Sequence, residues 1–165
     1  MMPGIVVMGV SGCGKSTVAS LLAHSLGATY IDADSLHSCE NVAKMARGEP
    51  LTDEDRWPWI NAVGNALARA DTVVACSALR RIYRERISRA AGRPVLYLFL
   101  RGDKATIQSR MSRRQGHYMP ISLLDSQIAT LEEPGPEEQA IAIDILKSPE
   151  AIVGMFEQWL REIRE

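Results

Sequence analysis

The stretch Ile5-Val6-Val7-Met8-Gly9-Val10-Ser11-Gly12-Cys13-Gly14-Lys15-Ser16 carries the pattern G-x-x-x-x-G-K-[ST] directly after a short apolar run. Four consecutive apolar residues of this kind suit a buried parallel strand. The small residues that follow let successive backbone N–H groups converge on a phosphate with no side chain in the way. Lys15 neutralises β- and γ-phosphate oxygens and Ser16 offers its hydroxyl to Mg²⁺. The helix opening at Lys15 turns its positive end toward the anion. Val18, Leu21, Leu22 and Leu26 then recur at helical spacing, and Gly27 stops the helix. Strand, loop and helix in this order are the context the pattern requires. They predict a site for ATP and Mg²⁺ built from Gly9, Val10, Ser11, Gly12, Cys13, Gly14, Lys15, Ser16 and Thr17.

Beyond the loop, apolar strand candidates recur at Ile5 to Met8, Ala28 to Asp32, Thr72 to Cys76, Val95 to Leu100 and Ala140 to Leu146. Each pair is separated by enough residues for a helix, which predicts an α/β fold with a parallel, doubly wound sheet. Helix starts are marked by Thr52 with Asp55 three residues on, by Asp103 before Lys104 to Arg114, and by Ser148-Pro149. At 165 residues the chain reads as one domain, 1–165. Two segments interrupt the alternation. One runs from about 35 to 59 and holds His37, Lys44, Arg47 and Arg56; the other runs from about 113 to 131. Open α/β sheets bind ligands beyond the carboxyl ends of their strands, where both segments emerge.

A formal net charge of −1 argues against nucleic acid or a membrane surface as the main partner and favours a small charged metabolite. Cys13, Cys39 and Cys76 are odd in number and lack metal-ligand spacing. Met1-Met2-Pro3-Gly4 runs straight into the first strand, and no apolar run approaches the length of a membrane span. These features predict a reduced, cytoplasmic, unprocessed chain.

Phosphoryl transfer needs positioning, neutralisation of the moving charge, and a group that orients the acceptor. Asp32 and Asp34 sit two apart at the end of the second strand, so extended geometry sends both to one side unless the backbone turns as the strand ends. Asp34, nearer the 35–59 insertion, is assigned to the acceptor hydroxyl and Asp32 to the metal; the competing reading makes Asp34 a cap for the segment from Ser35. The third strand lacks the terminal acid common in phosphate-loop enzymes, which leaves Ser16, phosphate oxygens, water and Asp32 to hold the metal. Arg80 and Arg84, four apart, are read as a carboxylate clamp, and Arg86 and Arg89 as a solvated helix face. Arg110, Arg113 and Arg114 approach Gly116, a pattern suited to a lid that closes guanidinium groups onto the transferring phosphate. Surface charge is the alternative for these arginines. His117 either binds substrate or decorates the lid.

Further segments now join the loop: Asp32-Ala33-Asp34-Ser35-Leu36-His37, Lys44-Met45-Ala46-Arg47-Gly48-Glu49-Pro50-Leu51, Asp53-Glu54-Asp55-Arg56-Trp57-Pro58-Trp59 and Cys76-Ser77-Ala78-Leu79-Arg80-Arg81. Tyr83-Arg84, Gly116-His117-Tyr118-Met119 and Thr130-Leu131-Glu132-Glu133-Pro134 continue the series. Together they resemble the small phosphate-loop gluconate kinases over nearly the whole chain. The resemblance implies ATP-dependent phosphorylation of D-gluconate on its 6-hydroxyl, giving 6-phosphogluconate for the pentose phosphate or Entner-Doudoroff routes. It also implies a five-stranded sheet of order 2-3-1-4-5, a mobile lid and a homodimer. Gluconate presents a carboxylate, for which Arg56, Arg80 and Arg84 are candidates, and hydroxyls, for which Asp34, His37 and Ser77 are candidates, with Lys44 a further candidate for binding the substrate. Similarity to the related shikimate kinases places Arg110 and Pro149 beside the adenine. Cys13 stands where Ser is common in the family, which raises thiol oxidation near the phosphates as a liability.

Two other readings remain open on sequence. A shikimate kinase would share the fold and a carboxylate-bearing acceptor, but its third strand is expected to lead into a Gly-Gly-Gly loop rather than Cys76-Ser77-Ala78-Leu79. A nucleotide-dependent regulatory switch would want an Asn-Lys-x-Asp segment or a water-positioning Gln after the third strand, and neither is visible.

Overall fold

Five parallel strands in the order β2-β3-β1-β4-β5 form the single sheet of the computed structural model, which describes residues 2–113 and 121–165. They are β1 (Gly4–Met8), β2 (Thr29–Asp32), β3 (Thr72–Ala75), β4 (Val95–Arg101) and β5 (Ala140–Asp144). All four neighbouring pairs run parallel, with Val7 opposite both Ala75 and Leu98. The helices are α1 (Lys15–Leu26), α2 (Cys39–Ala46), α3 (Asp53–Arg69), α4 (Arg81–Ala91), α5 (Lys104–Arg113), α6 (Ile121–Thr130) and α7 (Pro149–Glu162). This is the α/β architecture expected from the alternation of strands and helices, with the strand order that the family resemblance implies.

Alternation along the strands divides the core. Ile5, Val7, Leu96, Leu98 and Leu100 face α1, α7 and the buried Ile107 and Leu124 of α5 and α6. Val6, Met8, Val95, Tyr97 and Phe99 face α3 and α4. Strands covered on both faces read as continuous apolar runs, which is why β1 and β4 were legible. Where α3 crosses α4, a Cβ on Gly64 would lie 2.4 Å from Ala90 Cβ, so only a residue without a side chain permits that approach.

The helix boundaries follow local chemistry. Thr52 and Asp55 form a reciprocal capping box, and Ser148 and Asp103 each accept a backbone N–H three residues on. Gly27, at φ 66°, closes α1 by donating to the carbonyls of Ala23 and His24. β2 does not continue past Asp32: Ala33–Leu36 turns into a 3-10 helix. Of the two geometries open to Asp32 and Asp34, extended or turned, the chain takes the turn, because Asp32 caps it by accepting from Asp34 N at 2.9 Å.

Candidate active site

The carboxyl ends of β1, β2 and β3 bring the sequence candidates to one edge. The phosphate loop leaves β1 with Gly9 donating to the Ser77 carbonyl at 3.3 Å. The first helical hydrogen bond of α1 runs from Val18 N to the Gly14 carbonyl. The amides of Lys15, Ser16 and Thr17 precede it and have no intrahelical partner, so they face an incoming anion. Two loop amides are already engaged: Cys13 N donates to the Val10 carbonyl and Ser11 N to Gln127 Oε1. Lys15 Nζ also donates to the Val10 carbonyl, at 3.0 Å. Gly12, at φ 81°, packs so tightly that a Cβ would lie 2.7 Å from Met111 Cγ.

Cys13 is buried, with its Sγ so close to Gly9 that a Cβ there would lie 2.8 Å away, nearer than van der Waals contact allows. Its thiol packs in the core behind the loop, which corrects the reading of an oxidation liability beside the phosphates: the side chain faces away from solvent.

Asp34 is exposed, and among the described residues its carboxylate has no ion pair. Burial pushes the Cys76 thiol up to about 12; the Lys15 charge opposes this, whereas Asp34 and Asp32 add to it. Lys15, Asp32 and Asp34 thus all act on the end of β3. Trp59 Nε1 donates to the Ala33 carbonyl at 2.7 Å in the interior, fastening α3 to the turn that carries Asp34. His37 stacks on Trp59 with centroids 4.1 Å apart, and its Nδ1 lies 3.3 Å from Asn41 Nδ2. Burial lowers the His37 pKa; Asp34 opposes that shift and Arg56 reinforces it. The ring therefore favours its neutral form more than a free imidazole does, and it lies in the fields of both Asp34 and Arg56.

Beyond His37, Arg56 and Arg80 flank the Tyr83 ring at 5.4 and 5.6 Å from its centroid. Asp53 links them. Its Oδ1 accepts from the Tyr83 hydroxyl at 2.6 Å, its Oδ2 accepts from Arg80 at 3.3 Å, and Arg56 lies 3.7 Å away. Neither arginine is sealed off, so both remain available to a small carboxylate. Sequence reasoning missed Asp53, although its position one residue after the Thr52 cap marks it as a first-turn acid.

The structure relocates several candidates. Arg84 is 1% exposed and does not reach the site: its Nε and NH2 bind Glu138 at 2.7 and 3.1 Å, and its NH1 binds the Ala78 carbonyl at 2.8 Å. The expected Arg80–Arg84 clamp fails because Arg80 is extended and precedes the first turn of α4. Lys44 pairs with Asp55 at 2.7 Å, and this bond, with the Thr52 backbone, holds the Asp55 carboxyl at about 2. Arg86 is not simply solvated, since it stands 4.8 Å over Trp57 and donates to Asn61. Arg110 donates to the Ile145 carbonyl, which places it beside the loop leading to Pro149. Asp32 spends one oxygen on its cap and keeps the other. Arg114, Gly116 and His117 lie outside the described residues. A cavity of about 390 Å³ lined by Arg81, Ser88, Arg93 and Val95 lies at the opposite end of the sheet, where β4 begins, and does not belong to this site.

No group of three or more His, Cys, Asp or Glu among the described residues forms a metal cage, and no described helix is long and apolar enough to cross a membrane. A family model described as AAA domain matches residues 5–134. The thermoresistant gluconokinase of Escherichia coli is 43% identical over 155 residues, which cover 90% of this chain and 87% of that protein. The gluconokinase of Gluconobacter oxydans is 44% identical over 154 residues, covering 90% and 86%. The crystal structure of a gluconokinase from Sinorhizobium meliloti superposes with a TM-score of 0.90 at 44% identity, over 98% of this chain and 93% of that one.

Proposed function

The chain belongs to the gluconokinase family, and on that premise we propose that its site moves the terminal phosphoryl group of ATP onto the 6-hydroxyl of D-gluconate, releasing ADP and 6-phosphogluconate. One arrangement carries the reading. Along one edge of the sheet stand the first-turn amides of α1 with Lys15, then an Asp34 with no ion pair among the described residues, then Arg56 and Arg80.

The donor set fits a Mg²⁺–nucleotide. The first-turn amides of α1 want phosphate oxygens, and hard oxygens at Ser16 and Asp32 suit a cation that keeps much of its water. When bound, Mg²⁺ held through these oxygens and water neutralises phosphate charge. Lys15 leaves the Val10 carbonyl for the β/γ oxygens. Asp34 accepts a hydrogen bond from the 6-hydroxyl and aims it for in-line attack. His37 and Ser77 meet further hydroxyls, while Arg56 and Arg80 hold the carboxylate at the far end. Arg110 and Pro149 flank the adenine, Lys44 positions α2 through Asp55, and Arg114 and His117 belong to the lid. We take residues 1–165 as one domain with its acceptor wall at 35–59 and its lid at 113–131, the α6 part of the lid being seated on the core in this structure. We extend the family resemblance to a homodimer, which sedimentation velocity decides.

Coupled ADP release tests the acceptor. The expected result is rapid turnover with gluconate and background rates with shikimate, with nucleoside monophosphates and without acceptor. Faster turnover with shikimate, or equal rates with and without acceptor, would overturn the reading.

A further inference from the structure

The phosphate loop is gripped at two adjacent residues by the two helices that bound residues 114–120. On one side, Met111 and Ile107 of α5 press against Gly12. On the other, Gln127 of α6 accepts a hydrogen bond from Ser11 N at 2.7 Å, across 116 residues of sequence. α6 is seated on the core. Leu124 is fully buried in the cluster that holds Val10 and Cys13, Ile128 and Leu131 pack on that cluster, and Asp125 pairs with Lys104 of α5 at 2.6 Å. Gln127 follows Leu124 by three residues, so anchoring that turn delivers its amide oxygen to the loop.

The chain leaving α6 then reaches the acceptor side. Glu132 N donates to the Leu79 carbonyl at 2.7 Å, and the Glu132 carboxylate accepts from Arg81 N and lies 3.5 Å from Arg80 Nε. Residues 127–132 therefore touch the phosphate loop at one end and an acceptor-side arginine at the other.

We propose that Gln127 is a positioning residue for the nucleotide: its amide oxygen holds Ser11 N and so fixes the turn that presents Gly12 and the following amides to the phosphates. The side chain suits the task. Gln accepts without bringing charge to a polyanion, it reaches from a helix where Ser or Thr would fall short, and a carboxylate in its place would repel the triphosphate. This inference rests on the loop being the nucleotide site and is independent of which acceptor is phosphorylated.

Two variants test it, Gln127→Met, which keeps length and loses the acceptor, and Gln127→Glu, which keeps the acceptor and adds charge. Calorimetric titration with ADP and initial rates with ATP and gluconate are compared with wild type. Gln127→Met is expected to weaken ADP binding and raise the KM for ATP about tenfold, with the gluconate KM within twofold and Tm nearly unchanged. Gln127→Glu is expected to lose more with ATP than with ADP, and the excess should shrink as salt is raised. Unchanged nucleotide affinity in both variants overturns the proposal. So does a parallel rise in both KM values with a fall in Tm, which would mark a general structural role. If wild type binds ADP but does not turn over gluconate, the acceptor reading fails while the ADP titrations still decide Gln127.

Discussion

Replacing Arg84 with Met leaves the Glu138 carboxylate with the Gly135 amide but without its cation, and strips the Ala78 carbonyl of its guanidinium donor. Glu138 is only 12% exposed in its side chain, and Arg84 supplies two of its hydrogen bonds. Removing one member of such a pair costs about 3–5 kcal/mol, because the other charge stays buried. Ala78 adds to the loss, since it sits at φ 46°, a conformation that disfavours side chains, and Arg84 pins its carbonyl. For a chain of this length the combined effect lowers Tm by about 10 °C. Urea unfolding measures it at pH 7, and Arg84→Met combined with Glu138→Leu should recover most of the stability. The pH dependence has a definite sign. Burial raises the Glu138 pKa, but the Arg84 hydrogen bond and the Gly135 amide outweigh it, so the folded value lies below 4.5. Stability from the pair is present above 4.5 and is lost as pH falls toward the folded value, so the Arg84→Met penalty shrinks in acid. Where the variant is folded, its KM for gluconate should stay within about threefold of wild type. A loss under about 1 kcal/mol with a large rise in gluconate KM would refute the reasoning, since Arg84 would then be reaching substrate.

Asp34→Asn should lower kcat by about 10²- to 10⁴-fold with the KM for ATP nearly unchanged, read by steady-state kinetics; an unchanged kcat removes Asp34 from the chemistry. Arg56→Gln should raise the KM for gluconate about 10- to 100-fold by removing a charge-assisted hydrogen bond worth about 1.5–3 kcal/mol, with ATP binding intact. Gly64→Ala forces a methyl into Ala90 across α3 and α4 and should cost about 1–3 kcal/mol in urea unfolding, while kcat holds because the contact lies away from the site.

The features legible in the sequence are those decided within a few residues. The loop, the Thr52–Asp55 box, Gly27 and Ser148 each follow from local backbone chemistry, and continuous apolar runs announced β1 and β4 because helices cover both faces. Arg84 was misread for the opposite reason. Its partner Glu138 lies 54 residues away, and whether Arg80 shares its helical face depends on where α4 begins. Lys44 is similar: Asp55 was visible as a cap, but one carboxylate serving both a cap and a cation appears only once α2 meets α3. Asp32 and Asp34 were placed at the right edge, but extended and turned backbones could not be told apart there, since a single Asx-type hydrogen bond decides where the strand ends. Cys13 could not be read because in a glycine-rich loop the inward or outward face of a side chain depends on the turns around it.

The Val10 carbonyl has a consequence for the end of the reaction cycle. It already accepts from Lys15 Nζ and Cys13 N, so the lysine has a landing place inside the loop. A cation that lost its phosphate partners with nowhere to go would cling to the departing diphosphate. In the proposed reaction Lys15 would exchange one acceptor for another within its own loop, which would ease product escape and let the empty loop keep its shape for the next nucleotide.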